Sequence, residues 1–310
     1  MSGPAEIRVI AFPGAPNLPL FAAQEHGDFA AEGVSVALQT TPSSVYQIEK
    51  FHAGEFDIAF TAFDNIVAYR EGMGALPLDA SDFRVIMGAT QVELSAISAP
   101  AIQSAEGLRG KTLALDAVGT GFAFVLYAML EELGLSQGDY ERVAVGATPE
   151  RWKSVKDGVH AGTITIEPFT SIAVAAGFNV LRKSTDTFPA YQGGIVATRQ
   201  SWAAQHADAV IRFIRGYLKG LAWTLAPENR AAAAALLLAK MPEIKPGVVD
   251  AVLDSLLSPR SGLTPRGAIL RDGMQQVLAL RSRYGAKGET LRDIDKYLDL
   301  TFYETATAGA

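Results

Sequence analysis

Four carboxylates stand at or just beyond the ends of short apolar runs: Asp64, Glu93, Asp116 and Glu167. Gathered at one edge of a sheet, they would hold an amine-bearing or cationic ligand, or act as general acid and base. Each also has a plainer use, as a hinge hydrogen-bond acceptor or, for Asp64 and Asp116, as a helix N-cap. Hydroxyls occupy similar places. Ser43, Ser44, Thr61, Thr120 and Thr148 lie at strand-to-helix turns, where they would donate to a sulfonate or carboxylate, or simply cap the helix. Gly119, Thr120 and Gly121 stand just before a helix, so backbone N–H groups there would form a seat for an anion. The same glycines also suit a tight turn, and no Lys follows at the spacing of a phosphate-binding loop. Phe12, Phe63, Phe122, Trp152, Phe169 and Tyr191 are candidates for apolar walls. Asn17, closing the loop that begins at Phe12, joins the ligand-binding candidates. Arg151 is the one cation near a strand end in the second half, and reads as a solvated helix residue.

Other chemistry is absent from the pattern. The chain has no cysteine, which excludes disulfides, thiolate catalysis and cysteine metal sites. None of its four histidines stands at metal-ligand spacing to another, so no metal or cofactor is expected. His52 and His160 each close a helix in a repeated His-Ala-Gly, a position the helix dipole favours, with Gly54 and Gly162 as caps. No nucleophile elbow occurs.

A chain of 310 residues, 49% hydrophobic and 19% charged, can bury large cores and suggests two domains or two lobes. Its net charge of −6, scattered without runs, argues against a nucleic-acid or anionic-membrane partner. The longest apolar runs, Ala231–Ala239 and Gly121–Leu130, are too short to span a bilayer, so no membrane insertion is expected. Residues Met1–Ala5 lead straight into a strand and form no secretory leader. That predicts a cytoplasmic protein, or a periplasmic one whose leader has been removed.

The elements that must position these groups alternate. Strands are expected at Ile7–Ala11, Val34–Gln39, Asp57–Thr61 and Val85–Ala89, with helices at Leu18–Phe29, Val45–His52 and Phe63–Glu71. A second set follows: strand Thr112–Leu115 with a helix from Phe122, strand Arg142–Val145 with helix Glu150–Asp157, strand Thr163–Ile166 with helix Phe169–Ala176, and strand Val180–Leu181. This rhythm predicts α/β architecture with parallel or mixed sheets flanked by helices, binding ligands at the carboxyl ends of the strands. Gln91–Ala99 breaks the rhythm and reads as a crossing, and Gly193–Thr198 as a second crossing strand. Gln192-Gly193-Gly194 reads as a hinge or a turn. Beyond Gln200 the chain becomes helical, with helices at Asp208–Leu221, Pro227–Lys240, Pro246–Leu257, Pro265–Tyr284 and Leu291–Tyr303. The terminal Thr305–Ala310 reads as frayed.

Several stretches together resemble the solute-binding proteins of ABC importers for nitrate, sulfonates, taurine and thiamine-precursor pyrimidines. PLFAAQEHGDFAAEGVSV (Pro19–Val36) is similar to that family's P-L-x-x-A-x-E-x-G-x-F-x-x-x-G-x-x-V. AGEFDIAFTAFDNIVAYREG (Ala53–Gly72), the stretch Leu108–Leu135, Glu167-Pro168-Phe169 with Ala173 and Ala176, and Ser201–Leu237 follow in the family's order. In one departure, Gly158-Val-His-Ala161 lacks the aspartate often found before that strand, whereas Gly54-Glu-Phe-Asp57 keeps it.

The resemblance implies a bilobed, type II periplasmic-binding-protein-like fold, with two mixed sheets, a hinge and a helical C-terminal part. Residues 1–92 plus 195–310 would form one lobe and 97–188 the other, with hinge crossings at 91–97 and 188–196. The implied function is hinge closure on a small organic ligand, by a monomer that docks on an ABC permease if exported. The alternative on the same fold is a cytoplasmic enzyme, a decarboxylase, lyase or desulfinase-like protein working through histidine and carboxylates. The cysteine nucleophile of the desulfinases is missing. A cytoplasmic sensor is a third reading.

Overall fold

The computed structural model describes residues 4–285 and 287–308. Its strands, in chain order, are β1 (Ala5–Ala11), β2 (Val34–Thr40), β3 (Ile58–Ala62), β4 (Phe83–Thr90), β5 (Ser95–Ser98), β6 (Thr112–Leu115), β7 (Glu141–Ala144), β8 (Gly162–Thr165), β9 (Asn179–Lys183) and β10 (Gly194–Arg199). They form two five-stranded sheets, ordered β2-β1-β3-β10-β4 and β7-β6-β8-β5-β9. In the first, β1 runs parallel to β2 and β3, while β10 lies antiparallel between β3 and β4. In the second, β6 runs parallel to β7 and β8, while β5 lies antiparallel between β8 and β9. Both sheets are therefore mixed, and they are built alike. In each, the antiparallel strand is the first one reached after the chain crosses from the other sheet.

Buried apolar strands form because helices cover the sheets. β1 contributes Ile7, Val9 and Ile10, all fully buried. The helix Ala207–Leu225 turns Val210, Phe213, Ile214, Tyr217 and Leu221 into this half, packed on the helix Leu18–Glu25. Burying each such side chain stabilises the fold by about 1.5–3 kcal/mol before entropy is counted. A second core cluster crosses between the halves. It joins Phe63 and Ile66 to Phe124 and Tyr127, and to Met274, Val277 and Leu278 of the helix Arg271–Tyr284.

The two crossings, 91–94 and 184–193, are knit together. Gly193 N–H donates to the Gln91 carbonyl at 3.0 Å, and a Cβ on Gly193 would stand 2.1 Å from Val92. Gln192 is fully buried and donates to the carbonyls of Thr90 and Gly194. The glycines here serve close approach more than looseness.

Several element boundaries differ from expectation. The crossing read over Gln91–Ala99 contains a strand, β5, because Ala96 and Ile97 are buried between β8 and β9. The helix expected over Leu18–Phe29 breaks at Gly27, where φ is +73°, into Leu18–Glu25 and Asp28–Ala31. The helix expected over Pro265–Tyr284 begins only at Arg271, after a short turn at Pro265–Gly267 in which Arg266 sits at φ +59°. Instead of a helix over Leu291–Tyr303, a 3-10 turn at Asp295–Tyr297 precedes the helix Thr301–Thr307. Part of the segment read as frayed is therefore helical, while its last two residues lie outside the described ones, as do Met1–Gly3. Gly162 is a strand residue rather than a helix cap. A Cβ there would stand 2.6 Å from the Ile97 carbonyl oxygen.

Gly220 tests the packing of the helix Ala207–Leu225 on the helix Leu18–Glu25. A Cβ there would stand 2.3 Å from the Pro19 carbonyl oxygen and 2.8 Å from the Ala23 Cβ. Backbone on the facing helix cannot swing away, so Gly220→Ala is expected to cost about 2 kcal/mol by overpacking. Denaturant unfolding measures this directly, and an unchanged midpoint would contradict the packing.

Candidate functional site

A cavity of about 80 Å³ lies between the two sheets. It is reached by the residues that follow the parallel strands: Phe12 after β1, Thr61 and Ala62 at the end of β3, Asp116 after β6, and Ile166 after β8. This is where open α/β sheets place ligands, since helix starts converge there. The starts of three helices, Phe63–Arg70, Gly121–Glu132 and Thr148–Lys156, border the cavity through Ala62 and Asn65, through Thr120, Gly121 and Phe122, and through Thr148 and Arg151. The positive ends of the helix dipoles therefore gather at one point. Phe12, Phe122, Val92, Ile166 and Ile195 supply apolar wall.

Backbone bonds between the halves close the cavity. Ala15 N–H donates to the Glu167 carbonyl at 3.0 Å, and Ala147 N–H to the Pro42 carbonyl at 2.8 Å. Ser44 N–H donates to the Asp116 carboxylate, at 3.1 and 3.2 Å to its two oxygens.

Arg151 dominates the electrostatics. It is 2% exposed, and among the described residues no carboxylate stands within ion-pair distance of it. Its guanidinium donates to the Gly146 carbonyl at 2.7 Å, the Thr148 hydroxyl at 2.9 Å and the Ile164 carbonyl at 3.1 Å. Its buried Nε has no hydrogen-bond partner among the described residues. Burial lowers its pKa to about 10, against the opposing pull of Asp116, so it stays charged at neutral pH. The solvated position expected for Arg151 is corrected. The helix Thr148–Lys156 turns this residue inward, next to Trp152 and Val155, which are also buried.

Of the fourteen residues expected to bind ligand, Phe12, Asn17, Thr61, Asp116, Thr120 and Gly121 line the cavity. The rest stand elsewhere, each for a definable reason. Asp64 is 1% exposed and paired with Arg281, so its carboxylate serves neither ligand nor N-cap. Gly119 gives its carbonyl to the same arginine. Phe63 is core, edge-on to Tyr297, and Tyr191 stacks on Phe188. Ser43 caps the helix Ser44–His52 by accepting from Tyr46 N–H, and Ser44 contributes its own N–H to Asp116. Glu93 pairs with Lys183 at 2.7 Å and borders a separate, open groove together with Glu167. Trp152 and Phe169 pack in a small core of the second half. Arg151, expected in solvent, borders the cavity, and so do Asn65, Thr90 and the Gly14 backbone, which were not among the expected ligand contacts. Asn65 lies in the first turn of the helix that follows Thr61, a position readable from the sequence, and it donates to the Thr61 hydroxyl at 3.0 Å. Among the described residues no histidine borders the cavity. Among the described residues no group of histidine and carboxylate side chains is gathered for a metal.

A family model described as NMT1/THI5 like matches residues 16–231, more than half of the chain. The chain belongs to the NMT1/THI5-like family. Solved structures agree with that membership in fold. The periplasmic nitrate-binding protein NrtA from Synechocystis PCC 6803 aligns with a TM-score of 0.81 at 13% identity, over 98% of this chain and 89% of that one. The alkanesulfonate-binding protein SsuA from Xanthomonas axonopodis pv. citri, bound to MOPS, aligns with a TM-score of 0.73 at 16% identity, over 94% and 97%. A DszB mutant in complex with biphenyl-2-sulfinic acid aligns with a TM-score of 0.68 at 13% identity, over 98% and 99%. At these identities the likeness shows the fold. The expected periplasmic-binding-protein-like architecture is the one found. Curated protein sequences gave no match. Among the described residues of this NMT1/THI5-like protein, no helix is long and apolar enough to cross a membrane.

Glu167 offers a pH test of the junction between the halves. Burial pushes its carboxyl up to about 7, opposed by hydrogen bonds from Ser171 and raised further by Glu93. Between an ordinary glutamate value of about 4.3 and this raised one, the native state keeps a proton that the unfolded chain has released. Stability attributable to Glu167 is therefore full at low pH and lost as pH rises through about 7. Glu167→Gln is expected to remove this slope. Its melting temperature should gain on the wild type between about pH 4.5 and 7, by up to about 3 kcal/mol equivalent. Parallel pH curves would show that Glu167 titrates normally.

Proposed function

We propose that this protein captures a small organic anion between its two halves, as the substrate-binding component of an ABC-type importer that delivers to a permease. The observation that carries the reading is Arg151, buried in the cavity wall with no carboxylate partner among the described residues. An anion would supply the missing counter-charge, with the three helix starts adding N–H groups and positive dipole ends. Thr148 accepts from Arg151 and keeps its own hydroxyl proton to donate. Asp116, on the same half as Arg151, would accept from a hydroxyl or amine on the same ligand. At roughly 10–15 Å³ per water molecule, the cavity holds the equivalent of about five to eight waters, which suits a ligand of similar heavy-atom count. Nitrate and alkanesulfonate, the ligands named for two structural neighbours, are both small oxyanions, the second of them organic.

The enzyme reading finds less support. Its acid/base chemistry called for histidine with carboxylate, whereas among the described residues Asp116 is the one carboxylate bordering the cavity and already accepts the Ser44 N–H.

A thermal-shift and calorimetric screen tests the proposal, setting nitrate, small sulfonates and aromatic carboxylates against neutral and cationic analogues. At least one anion is expected to bind without turnover. Arg151→Met is expected to weaken that binding about 30-fold, the equivalent of ~2 kcal/mol for a charged hydrogen-bond donor. Stabilisation by cations alone, or consumption of the bound compound, would overturn the reading.

A further inference from the structure

The helix Arg271–Tyr284 lies beyond the residues that the family model matches, and it packs on both halves at once. It meets the helix Phe63–Arg70 of the first half and the helix Gly121–Glu132 of the second. Where the three meet, Arg281 is 2% exposed and Asp64 1%. Arg281 Nε donates to Asp64 Oδ1 at 2.9 Å, and its Nη2 donates to Oδ2. The same Nη2 donates across to the Gly119 carbonyl at 3.0 Å. The guanidinium carbon lies 4.5 Å from the centre of the Phe124 ring. The halves touch closely here, since a Cβ on Gly121 would stand 2.4 Å from the Asp64 Cβ. The helix is anchored at both ends. Leu270 N–H, just before it, donates to the Gln192 side chain in the second crossing at 3.0 Å, and Tyr284 donates to Glu131 at 2.7 Å.

Asp64 follows the turn that carries Thr61 into the cavity wall, and Gly119 precedes the turn that carries Thr120 and Gly121. One guanidinium thus bonds both walls from behind, without bordering the cavity itself. We propose that Arg281 is a positioning residue, which sets the spacing of the two cavity walls and thereby the affinity for ligand. This rests on the anion-binding reading above. The planar fork is what makes the three bonds compatible. It reaches both oxygens of one carboxylate and still turns a donor outward to Gly119, whereas an ammonium is a point charge that cannot hold the same geometry. A binding constellation tolerates a displacement of about 0.5 Å, so a small shift between the helix starts would be felt by the ligand.

The absence of cysteine allows a clean test, with spin labels on Glu49→Cys in one half and Lys156→Cys in the other. Both positions are exposed. Arg281→Lys keeps a cation beside Asp64. The paired Asp64→Asn/Arg281→Met removes both charges, which avoids leaving one buried alone. Each is measured for folding, for the dissociation constant of the best-binding anion, and for the ligand-free distance distribution between the labels. The expected result is a folded protein whose affinity is at least about 10-fold weaker and whose distance distribution is broadened or displaced. Either effect without the other, in a folded variant, overturns the proposal. If the wild type binds none of the anions, the anion reading falls by itself. A wild-type-like distance distribution in the variants would then overturn the role of Arg281 separately.

Discussion

A guanidinium removed from water needs acceptors around it, and the geometry at Arg151 supplies only part of what it needs. Two carbonyls and a hydroxyl take three of its hydrogen bonds, and Nε has no hydrogen-bond partner among the described residues. Truncating one partner of a buried charge pair typically costs 3–5 kcal/mol, which sets the scale of leaving such a charge unmatched. The surrounding protein answers with dipoles more than charge. The Thr148–Lys156 helix starts beside it, two other helix starts border the same space, and Asp116 stands near enough to oppose the lowering of its pKa. On the proposed reading, an anion entering the cavity completes this arrangement.

The architecture explains why such a site sits between two sheets. Each sheet is parallel where its strands end at the cavity, so the helices that follow begin there. Each sheet also accepts one antiparallel strand as the chain returns from the other, which brings the crossings side by side. The knit at Gly193 and Gln192 holds the two crossings together. Ala15 bonds to Glu167 and Ala147 to Pro42, and the cavity is bordered by backbone from both halves.

Much of this was legible in the chain, for reasons that differ by feature. Strands and their order could be read because short apolar runs alternate with helical stripes, and β1, β3, β6 and β8 fall where those runs lie. Thr61 and Asp116 could be placed because they end such runs, and Thr120 and Gly121 because they stand where the next helix begins. Arg151 was misread because nothing local distinguishes an arginine turned inward from one turned to solvent. That choice is made by the carbonyls of Gly146 and Ile164, which the fold brings to it. Asp64 was misread for the matching reason. Its partner Arg281 stands 217 residues away, and no spacing rule reaches that far. Glu93 and Glu167 end runs correctly but point into a neighbouring groove.

The claim that an anion completes the Arg151 site is tested most directly by anomalous diffraction from crystals grown with selenate or a bromine-bearing small sulfonate. The account predicts a peak inside the cavity, with an anion oxygen within hydrogen-bond distance of Arg151 or the Thr148 hydroxyl and of the N–H groups at Gly121–Phe122. A well-occupied anion elsewhere on the protein, with this cavity holding only water, would contradict it.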